Sequence, residues 1–357
     1  MYTIEENKPL LGLNSFRIAA TARRFVGFCG GDDLKAFFAD LPAGEPWYVL
    51  GGGNNVLPTG DYDGTVLHPL CRDIAVERRE DDTVSVRVGA GVEWDDFVAW
   101  AVQRGLGGVE NLSAIPGYAG AAPVQNIGAY GAEAKDTVEC VECYLPDERR
   151  IVSLSAEACR FGYRDSVFKR ELRGRAVILS VVFRLSSRPR FALRYGDVAS
   201  RVRELGGESL ENIRRAVTDI RREKLPDPAV LGNAGSFFKN PVVPCALAEK
   251  LAREYPGMPC YEAGDGLSKL AAGWLIDRCG WKGRREGAVG VHERQALVLV
   301  NYGGASGADV LALAGKIRSD VRERFGVTDI VINYVDPVIG AHSGPGTMAL
   351  FFLADHR

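Results

Sequence analysis

From Asn111 to Gly131 the chain runs through one long stretch of small residues without a charged side chain. Such a segment has little to bury and suits neither a helix nor a strand. It makes sense where the main chain itself wraps a large, flat, polar ligand, because glycine lets backbone approach closely. Gln125 and Asn126 would then offer hydrogen bonds to ring or ribose edges. An ordered surface loop is the plainer alternative.

A second glycine loop, Gly51-Gly52-Gly53-Asn54-Asn55-Val56-Leu57, follows the strand-like Trp47-Tyr48-Val49-Leu50. Glycines after a strand let consecutive N–H groups converge on a phosphate oxygen. The dinucleotide fingerprint fails, because Val56 takes the place of its third glycine and no helix pattern follows. A P-loop would need Gly-Lys-Ser/Thr. Taken alone, the loop suits an anion cradle and a hairpin turn equally. Two such loops in one strand-rich region suggest a dinucleotide cofactor.

Further on, Gly232-Asn233-Ala234-Gly235-Ser236-Phe237-Phe238-Lys239-Asn240-Pro241 places a serine hydroxyl beside two glycines, then an ammonium and a carboxamide. Ser236 could give or take a proton at a reacting atom, or the run could be a turn leading into a strand with a core Phe pair. Tyr163 and Arg164 set a phenol beside a permanent cation suited to an enolate or carboxylate oxygen. A surface Arg-Asp turn explains them equally simply. Arg194-Tyr195-Gly196-Asp197 and Arg221 to Pro228 add cations and a phenol that would suit a diphosphate.

With 357 residues the chain is too long for one simple core. A formal net charge of -2 gives no electrostatic reason to expect nucleic acid or a membrane surface, and the N-terminus lacks an apolar signal core, so the cytoplasm is expected. Eight cysteines are too few for a disulfide scaffold, and the four histidines form no metal-ligand cluster. Cys140 and Cys143 lie in an alternating strand pattern, so their thiols diverge. Up to about residue 190 the pattern is of short strands, with one clear helix from Glu93 to Arg104. Helical patterns follow over Ser209–Lys224, Asp265–Cys279 and Ala305–Arg324, giving an α+β architecture.

The runs Gly51 to Leu57, Ile115 to Gly117, Pro123 to Gly131, Phe161 to Ser166, Lys224 to Pro228, Gly232 to Pro241 and Lys269 to Asp277 resemble the UDP-N-acetylenolpyruvoylglucosamine reductases. Arg194 to Asp197 points to the type I branch, and the resemblance spans roughly residues 10 to 327. It implies noncovalent FAD in a vanillyl-alcohol-oxidase-type fold, with NADPH as reductant, acting in peptidoglycan-precursor synthesis. It also implies FAD-binding subdomains at 1–70 (completed by 328–357) and 71–225, a substrate domain at 226–327, and a monomer. The cofactor would be held by Gly51, Gly52, Gly53, Asn54, Asn55, Val56, Ile115, Pro116, Gly117, Gly120, Pro123, Gln125, Asn126 and Gly128. Arg164 would polarise the enolpyruvyl carboxylate and Ser236 would protonate the enolate. Tyr163, Tyr195, Arg221, Lys224, Asn240 and Gln295 would bind the remainder of the UDP-sugar.

The chain departs from the family after its last helix, where the family has a short strand reading Pro-Glu-Val whose Glu assists the enolate. Aligned on Asn333, Val331 takes that place; aligned on Asp336-Pro337-Val338, Asp336 does, one methylene shorter. A flavoprotein of the same fold with lost or altered chemistry is the alternative reading. Residues 341–357 resemble nothing in the family.

Overall fold

The computed structural model describes residues 2–194 and 197–328. Its first sheet contains β1 (Thr3–Pro9), β2 (Thr21–Phe28), β3 (Trp47–Val49) and β4 (Tyr62–Pro69), in the order β1-β2-β4-β3. Strands β2 and β3 both run parallel to β4, and helix α1 (Gly31–Asp40) makes the crossover between β2 and β3. That helix buries Leu34 and Phe37, one turn apart, and carries Asp32 and Asp33 at its positive end.

A five-stranded antiparallel sheet follows, built from β5 (Ile74–Glu80) and β6 (Thr83–Gly89), then β9 (Val138–Leu145), β10 (Arg150–Ser155) and β11 (Val177–Ser186). The short hairpin β7 (Gly128–Ala129) and β8 (Ala132–Glu133) lies between β6 and β9 in sequence. The order is β10-β9-β11-β6-β5, so the β-branched run of β11 sits centrally and is buried along most of its length. Helix α2 (Trp94–Gln103) packs on it, with Trp94 and Phe97 meeting Phe183 at ring-centroid distances of 5.6 and 4.7 Å. Cys143 of β9 is core while Cys140 is half-buried. Burial pushes the Cys143 and Cys159 thiols up to about 12, leaving them inert.

Helices α3 (Val198–Glu204) and α4 (Leu210–Lys224) lead into the rear of the chain. There β12 (Gly232–Ser236) heads a sheet of order β12-β18-β17-β16, with β16 (Arg285–Glu286), β17 (Val289–Val291) and β18 (Val298–Asn301). A three-stranded sheet, β13-β15-β14, comprises β13 (Val242–Pro244), β14 (Cys260–Glu262) and β15 (Leu267–Leu270). Helices α5 (Cys245–Glu254), α6 (Ala272–Arg278) and α7 (Gly307–Phe325) complete it. The segment at Phe16 joins front to rear: its carbonyl accepts from Asn301, and its ring meets Phe237 at 5.9 Å.

The helix expected over Asp265–Cys279 divides into a strand and a shorter helix. Asp265 and Gly266 both take positive φ, and Leu267 to Leu270 then pair with β13 and β14, burying Ser268 and Leu270 in alternation. The helix begins only at Ala272, whose N–H donates to Asn240 Oδ1 at 3.0 Å. The sequence reading also passed over α1, α3 and α5, and the strands of the rear sheets. Among the described residues no helix is long and apolar enough to cross a membrane, and no cluster of potential metal ligands occurs.

Candidate active site

The two glycine loops face each other. A Cβ at Gly52 would stand 3.3 Å from Gly117 Cα and 3.2 Å from the Tyr118 ring, so its missing side chain lets the loops interlock. Between and beside them lies a cavity of about 150 Å³ lined by Gly51 to Val56, Ile115 to Gly117, Gly120 and Gln125. Its walls are mainly apolar, with Val56, Ile115, Ala122, Ile127 and Ile178 among them. Gln125 lines this cavity, and its Oε1 is buried with no hydrogen-bond partner, an acceptor left unsatisfied beside the space.

Pro123, Asn126 and Gly128 do not line that cavity. Asn126 is fully buried; its amide donates to Glu133 Oε2 at 3.0 Å and Gly162 O at 2.9 Å, and its Oδ1 accepts from Lys135 N at 2.9 Å. Its side chain therefore holds the loop in shape.

The cavity shares Asn54, Asn55, Ile115, Pro116, Gln125 and Ile127 with a polar cleft of about 820 Å³, whose lining also includes Arg164, Arg221, Ser236 and His292. Ser236 reaches it through a local distortion of β12, whose pairing with β18 slips between Asn233 and Ser236. Gly235 takes a φ of +68°, where a side chain would be strained, and its N–H donates to Asn233 Oδ1 at 2.9 Å. Phe237 and Phe238 are buried and anchor the strand end. The bland expectation of a core Phe pair and the functional one of a presented serine thus both describe this run.

Arg164 enters from the other side. Its guanidinium donates to Asn126 O at 3.1 Å and to Gly128 O, and its own carbonyl accepts from Lys169 Nζ at 3.1 Å. The cation is thereby aimed by the carbonyls of the uncharged loop. Arg164 and Gly128 also border a third cavity of about 840 Å³ that includes Tyr163, Asn240 and Gln295. Lys224 lines none of the three; it pairs with Asp197 at 3.2 Å on the exposed end of α4. Tyr195 and Asp336 lie outside the described residues.

Several cavity residues escaped the sequence reading. Tyr261 and Lys269, directly opposed on β14 and β15, line the third cavity, and the Lys269 ammonium sits 4.9 Å from the Tyr163 ring centroid. The role of Lys269 was hidden because Asp265–Cys279 reads as a helix, and Tyr261 lies just ahead of that stretch with no motif of its own. His292 shares the cleft with Ser236; burial and the neighbouring Arg294 push its pKa below the ordinary 6.5. The folded protein thus resists protonating a group that the unfolded chain protonates near pH 6.5, so this term supports folding above that value and is lost as pH falls through the depressed one. His292→Gln is expected to flatten the decline of Tm below about pH 6.5, measured against the parent protein across a pH series.

The α+β scaffold opens an apolar, loop-walled cavity onto a cleft holding a serine and a fixed cation, and comparison with known families identifies it as an FAD-binding oxidoreductase. Residues 32–153 match the model of the FAD binding domain, and residues 227–328 match that of the UDP-N-acetylenolpyruvoylglucosamine reductase C-terminal domain. The UDP-N-acetylenolpyruvoylglucosamine reductase of Bacteroides fragilis is 47% identical over 324 residues, 91% of this chain and 97% of the relative. That of Pseudomonas aeruginosa is 48% identical over 327 residues, 91% and 96% of the two chains. In Paraburkholderia phymatum the identity is 53% over 324 residues, with 89% and 94% covered. The crystal structure of the Thermus caldophilus UDP-N-acetylenolpyruvylglucosamine reductase shares the fold with a TM-score of 0.66 at 23% identity, covering 94% of this chain and 99% of that one. The chain belongs to the UDP-N-acetylenolpyruvoylglucosamine reductase family.

FAD fits the residues present. The cavity walls suit a flat ring system, Gln125 Oε1 is an acceptor in want of a donor, and the polar cleft continues from the same walls.

Proposed function

We propose that the protein reduces the enolpyruvyl ether of UDP-N-acetylglucosamine to UDP-N-acetylmuramate, with NADPH as reductant, in cytoplasmic peptidoglycan-precursor synthesis. The observation that carries this reading is the cleft itself, where Arg164 and Ser236 share one cavity with the loops that wall the cofactor space. FAD held there by the loops Gly51 to Val56 and Ile115 to Gly117 would supply hydride-transfer chemistry, with NADPH as the source of the hydride and the vinyl CH2 carbon as its acceptor. Arg164 meets the carboxylate and stabilises the charge that spreads onto it as the enolate forms. Its geometry is set in advance by the Asn126 and Gly128 carbonyls, so little reorganisation accompanies the reaction. Ser236 then donates its proton to the enolate carbon.

Tyr163, Asn240 and Gln295, with Lys269 above the Tyr163 ring, offer aromatic, amide and cationic groups to a uridine diphosphate. Arg221 acts from the cleft wall, while Lys224 and Tyr195 are proposed to join on substrate binding. Asp336 is proposed for the place of the family's Glu. The division at about residues 70 and 225 and a monomeric state belong to the same reading. The test is NADPH oxidation followed with and without the enolpyruvyl substrate. Oxidation that depends on that substrate is expected, and FAD-loaded protein that does not turn over would overturn the assignment.

A further inference from the structure

We propose that Asp95 is a positioning residue for the cofactor loop, holding Ala114 in a left-handed conformation that aims Ile115 to Gly117 into the FAD cavity. Asp95 is the second residue of α2. Its Oδ1 accepts from Ala114 N at 2.5 Å and from Arg214 Nη1 at 2.6 Å, and its Oδ2 accepts from Arg214 Nη2 at 2.9 Å. The other polar group of Ala114 is also taken by a charged side chain, since its carbonyl accepts from Arg221 Nε at 3.1 Å. Arg214 and Arg221 stand two turns apart on one face of α4, so a single helix face supplies both cations.

Ala114 needs such a clamp. Its φ is +56°, a conformation disfavoured for any residue with a Cβ. Ile115 precedes a proline and is confined to extended backbone, so the turn at Ala114 decides where Ile115, Pro116 and Gly117 go. All three line the cofactor cavity. Beyond them Gly117 O accepts from Trp94 N at 2.7 Å, and Leu112 O accepts from Trp94 Nε1 at 2.8 Å. The first two residues of α2 therefore grip this loop before, at and after the turn. Burial alone would raise the Asp95 pKa, but the Arg214 guanidinium and the Ala114 N–H outweigh it and hold the carboxylate below its ordinary range, so the clamp stays charged.

FAD affinity reads this without any turnover. Apoprotein freed of FAD is titrated with FAD, following quenching of flavin fluorescence. Asp95→Asn keeps the shape but loses the ion pair, and should raise the Kd about tenfold, within the cost of an unsupported left-handed alanine. Ala114→Gly removes that cost, so it should change the Kd of the parent protein less than about twofold yet recover at least about threefold in the Asp95→Asn background. A lowered Tm of the apoprotein with an unchanged Kd would reduce Asp95 to a tie between α2 and α4 and overturn the proposal. So would a raised Kd that Ala114→Gly fails to restore. Should Asp95→Asn not fold, Arg214→Met serves instead: a Kd raised about threefold or more and restored by Ala114→Gly supports the clamp, and an unchanged Kd overturns it.

Discussion

Ser236→Ala is expected to leave bleaching of the bound flavin by NADPH within about twofold of normal while slowing its reoxidation by enolpyruvyl substrate by about 10²–10⁴-fold. The asymmetry follows from where the hydroxyl sits. Ser236 lines the polar cleft and not the apolar cofactor cavity, so removing one oxygen leaves the cofactor walls intact. What disappears is the hydroxyl proposed as proton donor for the enolate carbon. The strand end should survive, because Phe237 and Phe238 remain buried and Gly235 keeps its bond to Asn233. Stopped-flow absorbance under anaerobic conditions separates the two half-reactions. Equal slowing of both would place Ser236 in cofactor binding instead.

Arg164→Met is expected to lower kcat/KM for the enolpyruvyl substrate by about 10²–10³-fold with FAD still bound. The guanidinium is the proposed positive charge for the carboxylate, and it is held by the Asn126 and Gly128 carbonyls. Both carbonyls lose a donor in the variant; Gly128 borders two wide cavities from which water can replace it, whereas Asn126 is fully buried. Arg164→Lys should recover only part of the loss, because an ammonium cannot span two carbonyls and a carboxylate with one planar fork. Steady-state kinetics on the three proteins, with flavin content measured from the visible spectrum, checks both statements.

Much of this site was legible in the residues themselves. The uncharged stretch from Asn111 to Gly131 points to a main chain that wraps a ligand, and it does wall a cavity. The serine between permissive glycines is the one at the end of β12. The helix from Glu93 to Arg104 was readable because its apolar face repeats at helical spacing, and α2 occupies Trp94–Gln103. Other features were hidden for physical reasons. Leu267, Leu270, Trp274 and Leu275 fit a helix by spacing, but their neighbours Asp265 and Gly266 turn the chain and make partners of β13 and β14 available. Pairing decided the outcome, and pairing is non-local. The interlocking of Gly52 with Gly117, the capture of the Asn126 side chain by Glu133, and the Asp95–Ala114 clamp all join residues distant in the chain or dependent on its turns. A single residue's neighbours in sequence do not reveal them.

Reduction of the enolpyruvyl group is proposed to occur where Arg164 and Ser236 share a cleft with the cofactor loops. A crystal structure of the FAD-loaded protein with the enolpyruvyl substrate tests it most directly. The substrate carboxylate is expected on the Arg164 guanidinium, with the carbon to be protonated within about 3.5 Å of Ser236 Oγ. An enolpyruvyl group lying away from both side chains, with FAD in its cavity, would contradict the account.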